Sequence, residues 1–214
     1  MTLLNQHILS VCEQFTLFPE PYLFASINKM SNLGIRVLDL DSSLSLWLEQ
    51  NQKYFERNLI IWHGLNSKKD LQGCFCIKQS FLEQSVEKSS IDFQVLNFFQ
   101  NQDRIKEIFQ KSAYCSRDRG RLLYREIIFD NILDLQKKNR SNEELKSLII
   151  ESGYSDCSIS LKEYPLQINN LSDYKVWLIK LLELLGINDF KENLQLEKDF
   201  IFPKIKIREA FAIK

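Results

Sequence analysis

Between Lys111 and Arg125 the chain reads Lys-Ser-Ala-Tyr-Cys-Ser-Arg-Asp-Arg-Gly-Arg-Leu-Leu-Tyr-Arg, and four of its nine arginines fall here: Arg117, Arg119, Arg121 and Arg125. Tyr114 and Tyr124 flank them. A guanidinium fork matches phosphate oxygens and its plane stacks on bases, so these residue types at this density point to an anion contact, the backbone of RNA or DNA foremost. Lys111 opens the segment, and Lys204, Lys206 and Arg208 in the tail extend the same chemistry. The pattern also suits a protein–protein hot spot, or plain ion pairing of Arg117 with Asp118 or Glu126 on a solvated face. For the tail lysines, protection of an edge strand against aggregation is the alternative.

Other chemistry is sparse. The two histidines, His7 and His63, lie far apart; His63 ends an apolar run before Gly64 and is the better candidate for proton transfer, although a histidine there also serves ordinary hydrogen bonding. The five cysteines (Cys12, Cys74, Cys76, Cys115, Cys157) form no C-x-x-C pair, which argues against a disulfide framework or a structural zinc site and for free thiols. All six glycines are isolated, so no phosphate-cradling loop is present and nucleotide-binding folds of the usual kind are not expected. No cofactor and no metal is called for by these residues.

One acidic motif stands out. Val37-Leu38-Asp39-Leu40-Asp41-Ser42-Ser43-Leu44 resembles the first motif of haloacid-dehalogenase-type phosphotransferases, an apolar strand followed by Asp-x-Asp-x-Thr/Ser. The resemblance implies Asp39 as nucleophile and Asp41 as general acid/base, with magnesium between the carboxylates and a phosphate. It covers about eight residues, lacks glycine after the second aspartate, and finds no later pair of strand-end acids for magnesium. The plain alternative makes Asp41 or Ser42 the cap of a following helix.

The elements that would position these groups follow from periodicity. Residues 2–16 and 44–55 show helical spacing, and a third helix is expected over 102–111. Apolar runs at 22–27, 35–40, 58–63, 71–78 and 91–99 read as strands, with the polar stretch around Gly64 and Asn66 closing a hairpin between the third and fourth. The arginine segment fits a helix face through Arg117, Arg121 and Arg125, and a strand face through the odd-numbered residues; strand is slightly favoured. Asp130-Asn131 suits a hairpin turn. Ser141-Asn142-Glu143-Glu144 is a capping box that opens a helix ending near Gly153. Residues 158–161 read as a strand, Ser172 as the cap of a very apolar helix through Val176–Leu185, and 202–207 as a strand with one basic face. The expectation is an α+β fold: one compact domain over residues 1–214, its sheet mainly antiparallel in the first two thirds, helices packed on it in the last third, and a weak lobe boundary near 136–142.

Bulk properties bound the function. With 28 basic and 28 acidic residues the formal charge is zero, which excludes a generally basic nucleic-acid protein. The charge is nevertheless uneven: 8 basic against 10 acidic residues over 1–100, 10 against 6 over 101–140, and 10 against 12 over 141–214. A local positive field can steer an anion even when the whole is neutral. The start of the chain has no signal-peptide pattern and no run spans a bilayer, so a cytoplasmic protein without membrane contact is expected. These observations favour a non-catalytic binding or assembly subunit that holds a nucleic-acid backbone or protein subunits of a larger complex, such as an accessory subunit of a bacterial ribonucleoprotein or defence complex. The competing readings are an adaptor docking through the Val176–Leu185 helix and a magnesium-dependent phosphohydrolase built on Asp39 and Asp41.

Overall fold

The computed structural model describes residues 35–39, 60–65, 74–77, 81–83, 85–97, 104–128, 140–165, 171–184 and 204–214. The elements are β1 (Ile35–Asp39), β2 (Ile60–Leu65), β3 (Cys74–Ile77), β4 (Ile91–Asn97), α1 (Ile105–Cys115), β5 (Ser116–Ile128), α2 (Asn142–Glu151), β6 (Asp156–Pro165), α3 (Leu171–Leu184) and β7 (Lys204–Ile213). They build one seven-stranded sheet in the order β3-β2-β1-β4-β5-β7-β6.

Five neighbouring strands, β1 to β5, run parallel: β1 pairs with β2 and β4, β2 with β3, and β4 with β5. Only β7 is reversed, inserted antiparallel between β5 and β6. The sheet is therefore a mostly parallel α/β sheet wound in two directions from β1, and the expectation of a mainly antiparallel α+β sheet is wrong. The runs at 58–63 and 71–78 do become strands, but they pair in parallel, Trp62 beside Cys74, rather than as a hairpin. Parallel neighbours need a crossover, so each connection leaves one end of the sheet and returns at the other. The strands on both sides of 136–142 belong to the same sheet. The expected helices at 2–16 and 44–55 and the turn at Asp130-Asn131 lie outside the described residues.

Local sequence explains the described elements. In α1, Ile105, Ile108, Phe109, Ser112, Ala113 and Cys115 are buried, the i, i+3, i+4, i+7 stripe of a helix laid on a sheet. The capping box of α2 forms as expected: Ser141 Oγ accepts from the Glu144 N–H at 3.1 Å, and Glu144 Oε2 accepts from the Ser141 N–H at 2.7 Å. The helix ends at Ser152, and Gly153 takes φ +111°, a conformation costly for any residue with a Cβ. α3 begins at Leu171, so Ser172 lies inside its first turn rather than capping it.

On the face covered by α1 and α2, Leu38, Leu96, Leu122, Tyr124, Ala210 and Ala212 from four strands meet Ile108, Phe109, Leu145 and Ile149. Phe109 and Tyr124 pack edge to face, 5.2 Å between ring centres. A buried polar network crosses this core. Gln94 donates to Ser116 Oγ and to the Ser112 carbonyl (2.8 Å), while Ser112 Oγ bonds Gln94 Oε1 (2.7 Å) and the Tyr154 hydroxyl (2.6 Å). It ties β4, the end of α1 and the turn after α2 together, and satisfies each polar group it buries.

Candidate functional site

In a sheet wound this way, strand order reverses between β1 and β4, and the loops at their carboxyl ends leave in opposite directions. The crevice that opens there is the usual ligand site of such sheets. Its described floor is short. Asp39 is the last residue of β1 and lies level with Val95 of β4, which runs on to Asn97; β2 alongside ends at Leu65. A carboxylate-bearing residue and an amide-bearing residue thus end the two strands that bound the crevice. Asp41 lies outside the described residues. In sequence, Asp39 is followed by Leu40-Asp41-Ser42-Ser43-Leu44-Ser45, with no glycine.

The arginine segment is elsewhere. Ser116–Ile128 is the strand β5, and it carries Arg117 and Arg119 at the amino end of the sheet. Arg119 is nine residues from Ile128, the last residue of β5, about 30 Å at the usual rise of a strand. Arg117 is engaged: its Nη1 bonds Asp92 Oδ1 at 3.0 Å, while Asp92 Oδ2 accepts the Arg36 N–H at 2.8 Å. This clamps the start of β5 to the starts of β4 and β1. Arg119 is exposed at φ +64° and donates its N–H to the Lys214 carbonyl. The next residue has to be glycine, because a Cβ on Gly120 would stand 2.8 Å from the Arg117 carbonyl oxygen. Arg121 lies over the Phe211 ring, 5.9 Å from its centre. Lys111 donates to the Leu82 carbonyl and sits over Phe81, holding the turn before β4. Tyr114 is exposed on α1.

Tyr124, Arg125 and Arg208 are inside the protein. Arg125 is 2% exposed and bonds Glu209 Oε1 at 2.9 Å; the other Glu209 oxygen takes Lys162 at 2.7 Å. On the opposite face, Arg208 bonds Glu126 Oε1 at 2.9 Å and the Arg140 carbonyl, while Tyr124 donates to Glu126 Oε2 at 3.0 Å. Burial, and then the Glu126 carboxylate, push the Tyr124 hydroxyl well above its usual pKa, so it stays a neutral donor. Lys206 pairs with Glu163. Lys204 opens β7, which is an inner strand, so the tail carries no basic edge. The ten residues singled out for nucleic acid are therefore not one surface: the structure disperses them over two ends and both faces of the sheet. Sequence inspection singled out Asp39 for a different chemistry; Asn97 carried no signal, because only the strand order places β4 beside β1.

No protein-family model and no curated protein matches the sequence. Solved structures do match in shape. A SAM-dependent methyltransferase from Archaeoglobus fulgidus superposes with a TM-score of 0.53 at 15% identity, over 90% of this chain and 93% of that one. A phosphoethanolamine N-methyltransferase 2 from Haemonchus contortus, bound to S-adenosyl-L-methionine, gives 0.53 at 12% identity over 89% of this chain; the match spans 51% of that longer protein. The [4+2]-cyclase SpnF gives 0.52 at 10% identity, over 90% and 80%. This likeness corrects the readings as a non-catalytic RNA-binding ribonucleoprotein or defence subunit, as an adaptor, and as a phosphohydrolase on Asp39 and Asp41, because the neighbours are methyltransferases and an enzyme named as a cyclase. Among the described residues no helix is long and apolar enough to cross a membrane. At these identities the likeness establishes the fold alone, and the fold is that of the SAM-dependent methyltransferases.

Proposed function

We propose that the chain is an enzyme that transfers a methyl group from S-adenosylmethionine, bound at the carboxyl ends of β1 and β4. The observation that carries this reading is the likeness in shape to a solved methyltransferase over nine tenths of the chain, in a mostly parallel sheet whose single reversed strand, β7, lies between β5 and β6. When bound, this cofactor supplies an electrophilic methyl on a sulfonium.

The residues at the crevice fit such a molecule in kind. It carries an ammonium, a carboxylate and a sulfonium but no phosphate, so a protein carboxylate suits its ammonium and a phosphate-cradling loop is not required. Asp39 would hold the ammonium, and Asn97 offers both an amide donor and an acceptor to polar edges. The sequence that follows Asp39 has no glycine through Ser45 and offers hydroxyls at Ser42, Ser43 and Ser45 for the remaining contacts.

The test is calorimetric titration with S-adenosylmethionine and S-adenosylhomocysteine, followed by transfer of a labelled methyl group to candidate acceptors. Asp39→Ala removes a charged hydrogen bond worth about 1.5–3 kcal/mol, so binding weakens about 10- to 100-fold with the melting temperature of the free protein unchanged. Absence of binding by the wild type at millimolar ligand would reject the reading.

A further inference from the structure

The two edges of the sheet differ. At one, β3 is four residues long, and a short edge strand offers little to pair with. At the other, β6 is ten residues long and keeps unbroken register with β7 from Asp156 to Pro165. No bulge interrupts it and its proline stands at the very end. Its lysine in the middle, Lys162, is drawn inward to Glu209. Ser158, Ser160 and Leu161 are exposed, Leu161 by 51%, and among the described residues no strand pairs with the outer side of β6. The devices that blunt edge strands are thus missing where this strand is longest.

The order of side chains on that edge is a chemical palindrome. From 156 to 162 it reads acid, apolar, serine, isoleucine, serine, apolar, base. We propose that β6 joins β6 of a second copy of this chain, antiparallel, with Ile159 on the two-fold axis. In that register Leu161 meets Cys157 of the other copy, Ser158 meets Ser160, and Lys162 meets Asp156, each pair occurring twice. Opposite residues share a face, so the apolar pairs continue the core side beneath α1 and α2, to which Cys157 and Ile159 already belong. The hydroxyl and ionic pairs continue the other face. Ile150, exposed by 37% in the last turn of α2, stands near the amino end of β6, the end to which this register brings the partner's exposed leucine. Slipping one strand by two residues sets Lys162 against Ser158 in one direction and Tyr154 in the other, without an acid in either case; this register alone matches throughout. A two-fold normal to the sheet also leaves the carboxyl ends of β1 and β4 uncovered.

Sedimentation equilibrium of the full chain, with disulfide trapping, tests this. A species of twice the 25.3 kDa chain mass is expected. Directly opposed strand residues have Cα separations inside the disulfide range, so Ile159→Cys forms an interchain disulfide under mild oxidation that the wild type does not form. Asp156→Lys, on an exposed side chain, opposes lysine to lysine twice and weakens the dimer about tenfold while the circular-dichroism spectrum stays that of the folded chain. A monomer at high micromolar concentration overturns the proposal. So does a dimer that Ile159→Cys fails to trap, because its interface then lies elsewhere.

Discussion

At the scale of single residues, the interior is built to keep its titratable groups neutral unless a partner opposes them. Burial raises the thiols of Cys115 and Cys157 from 9.0 to about 11, and the Tyr154 hydroxyl from 10.0 to about 12. In the unfolded chain these groups lose their protons at ordinary values, so above pH 9 the unfolded state binds fewer protons than the folded one. The stability they contribute is complete below pH 9 and is lost as pH climbs to about 11 for the thiols, with Tyr154 following up to about 12. Urea midpoints should therefore fall steadily from pH 8.5 to pH 11, with the other buried phenol, Tyr124, adding to the loss above pH 10. Cys157→Ala flattens the part of the slope that begins at pH 9, whatever its effect at neutral pH. A midpoint that does not move over that range would show that the thiols are accessible in the folded protein. The burial of Cys115 is not legible from the sequence: it is embedded in the arginine segment, between exposed Tyr114 and Arg117, and turns inward as the last residue of α1.

At the scale of elements, the pairing of β5 with β7 decides what the arginines do. Arg125-Glu126 on one strand lies against Arg208-Glu209 on the other in antiparallel register, so each arginine faces a glutamate, one pair on each side of the sheet. Each glutamate is shared with a second donor, Lys162 or Tyr124. Sequence reading saw four arginines and two tyrosines as one surface because spacing cannot say which strand will be covered by a partner 80 residues later. It located the strand but not its neighbour, and the neighbour determines whether a charge is surface or core. The same logic gives the effect of mutation. Removing one member of a buried pair costs about 3–5 kcal/mol, because the other charge is left without its partner in a poor solvent. Glu209→Ala should show that loss by denaturant unfolding, since it strands Arg125. Arg125→Met combined with Glu209→Met should cost clearly less than Glu209→Ala alone, because both members of this buried pair are then gone and Lys162, less buried, can turn to water. Equal costs would mean that the pair fixes nothing beyond its own volume. A two-residue slip between β5 and β7 would oppose both arginines to apolar residues, so the reciprocal pairs also specify this register.

At the scale of the whole molecule, the sequence shows where most strands lie and hides how they are joined. The apolar runs at 35–40, 58–63, 71–78 and 91–99 fall on β1 to β4, but parallel neighbours are linked through connections that carry no pairing signal. The stretch 66–73, which separates β2 from β3, is short for a crossover and reads more naturally as a hairpin loop. The isolated glycines reinforced the error, since clustered glycines are the usual sign of this architecture. The reversed strand is the feature of greatest consequence for the assembled sheet. β7 is the last element in the order of the chain, yet it lies between β5 and β6 and supplies partners to both along its whole length. Without it, β6 has no neighbour, β5 becomes an edge, and Arg125 and Glu126 lose the residues that neutralise them. Removing residues 204–214 should therefore not trim the fold but abolish it: no cooperative unfolding transition by circular dichroism and rapid aggregation through the bare β5 edge. Removing only Ile213 and Lys214 tests the gradation, because it spares both ion pairs and strips away the ladder partner of Arg121 and Asp156, together with the contacts of Lys214 with Gly120, Arg119 and Ala113 and of Ile213 with Ser155. That shorter chain should fold with reduced stability and still unfold in one step. If the longer deletion retained a cooperative transition, the strands before β7 would form a stable sheet by themselves, and the buried charges of β5 would need another account of how they are neutralised.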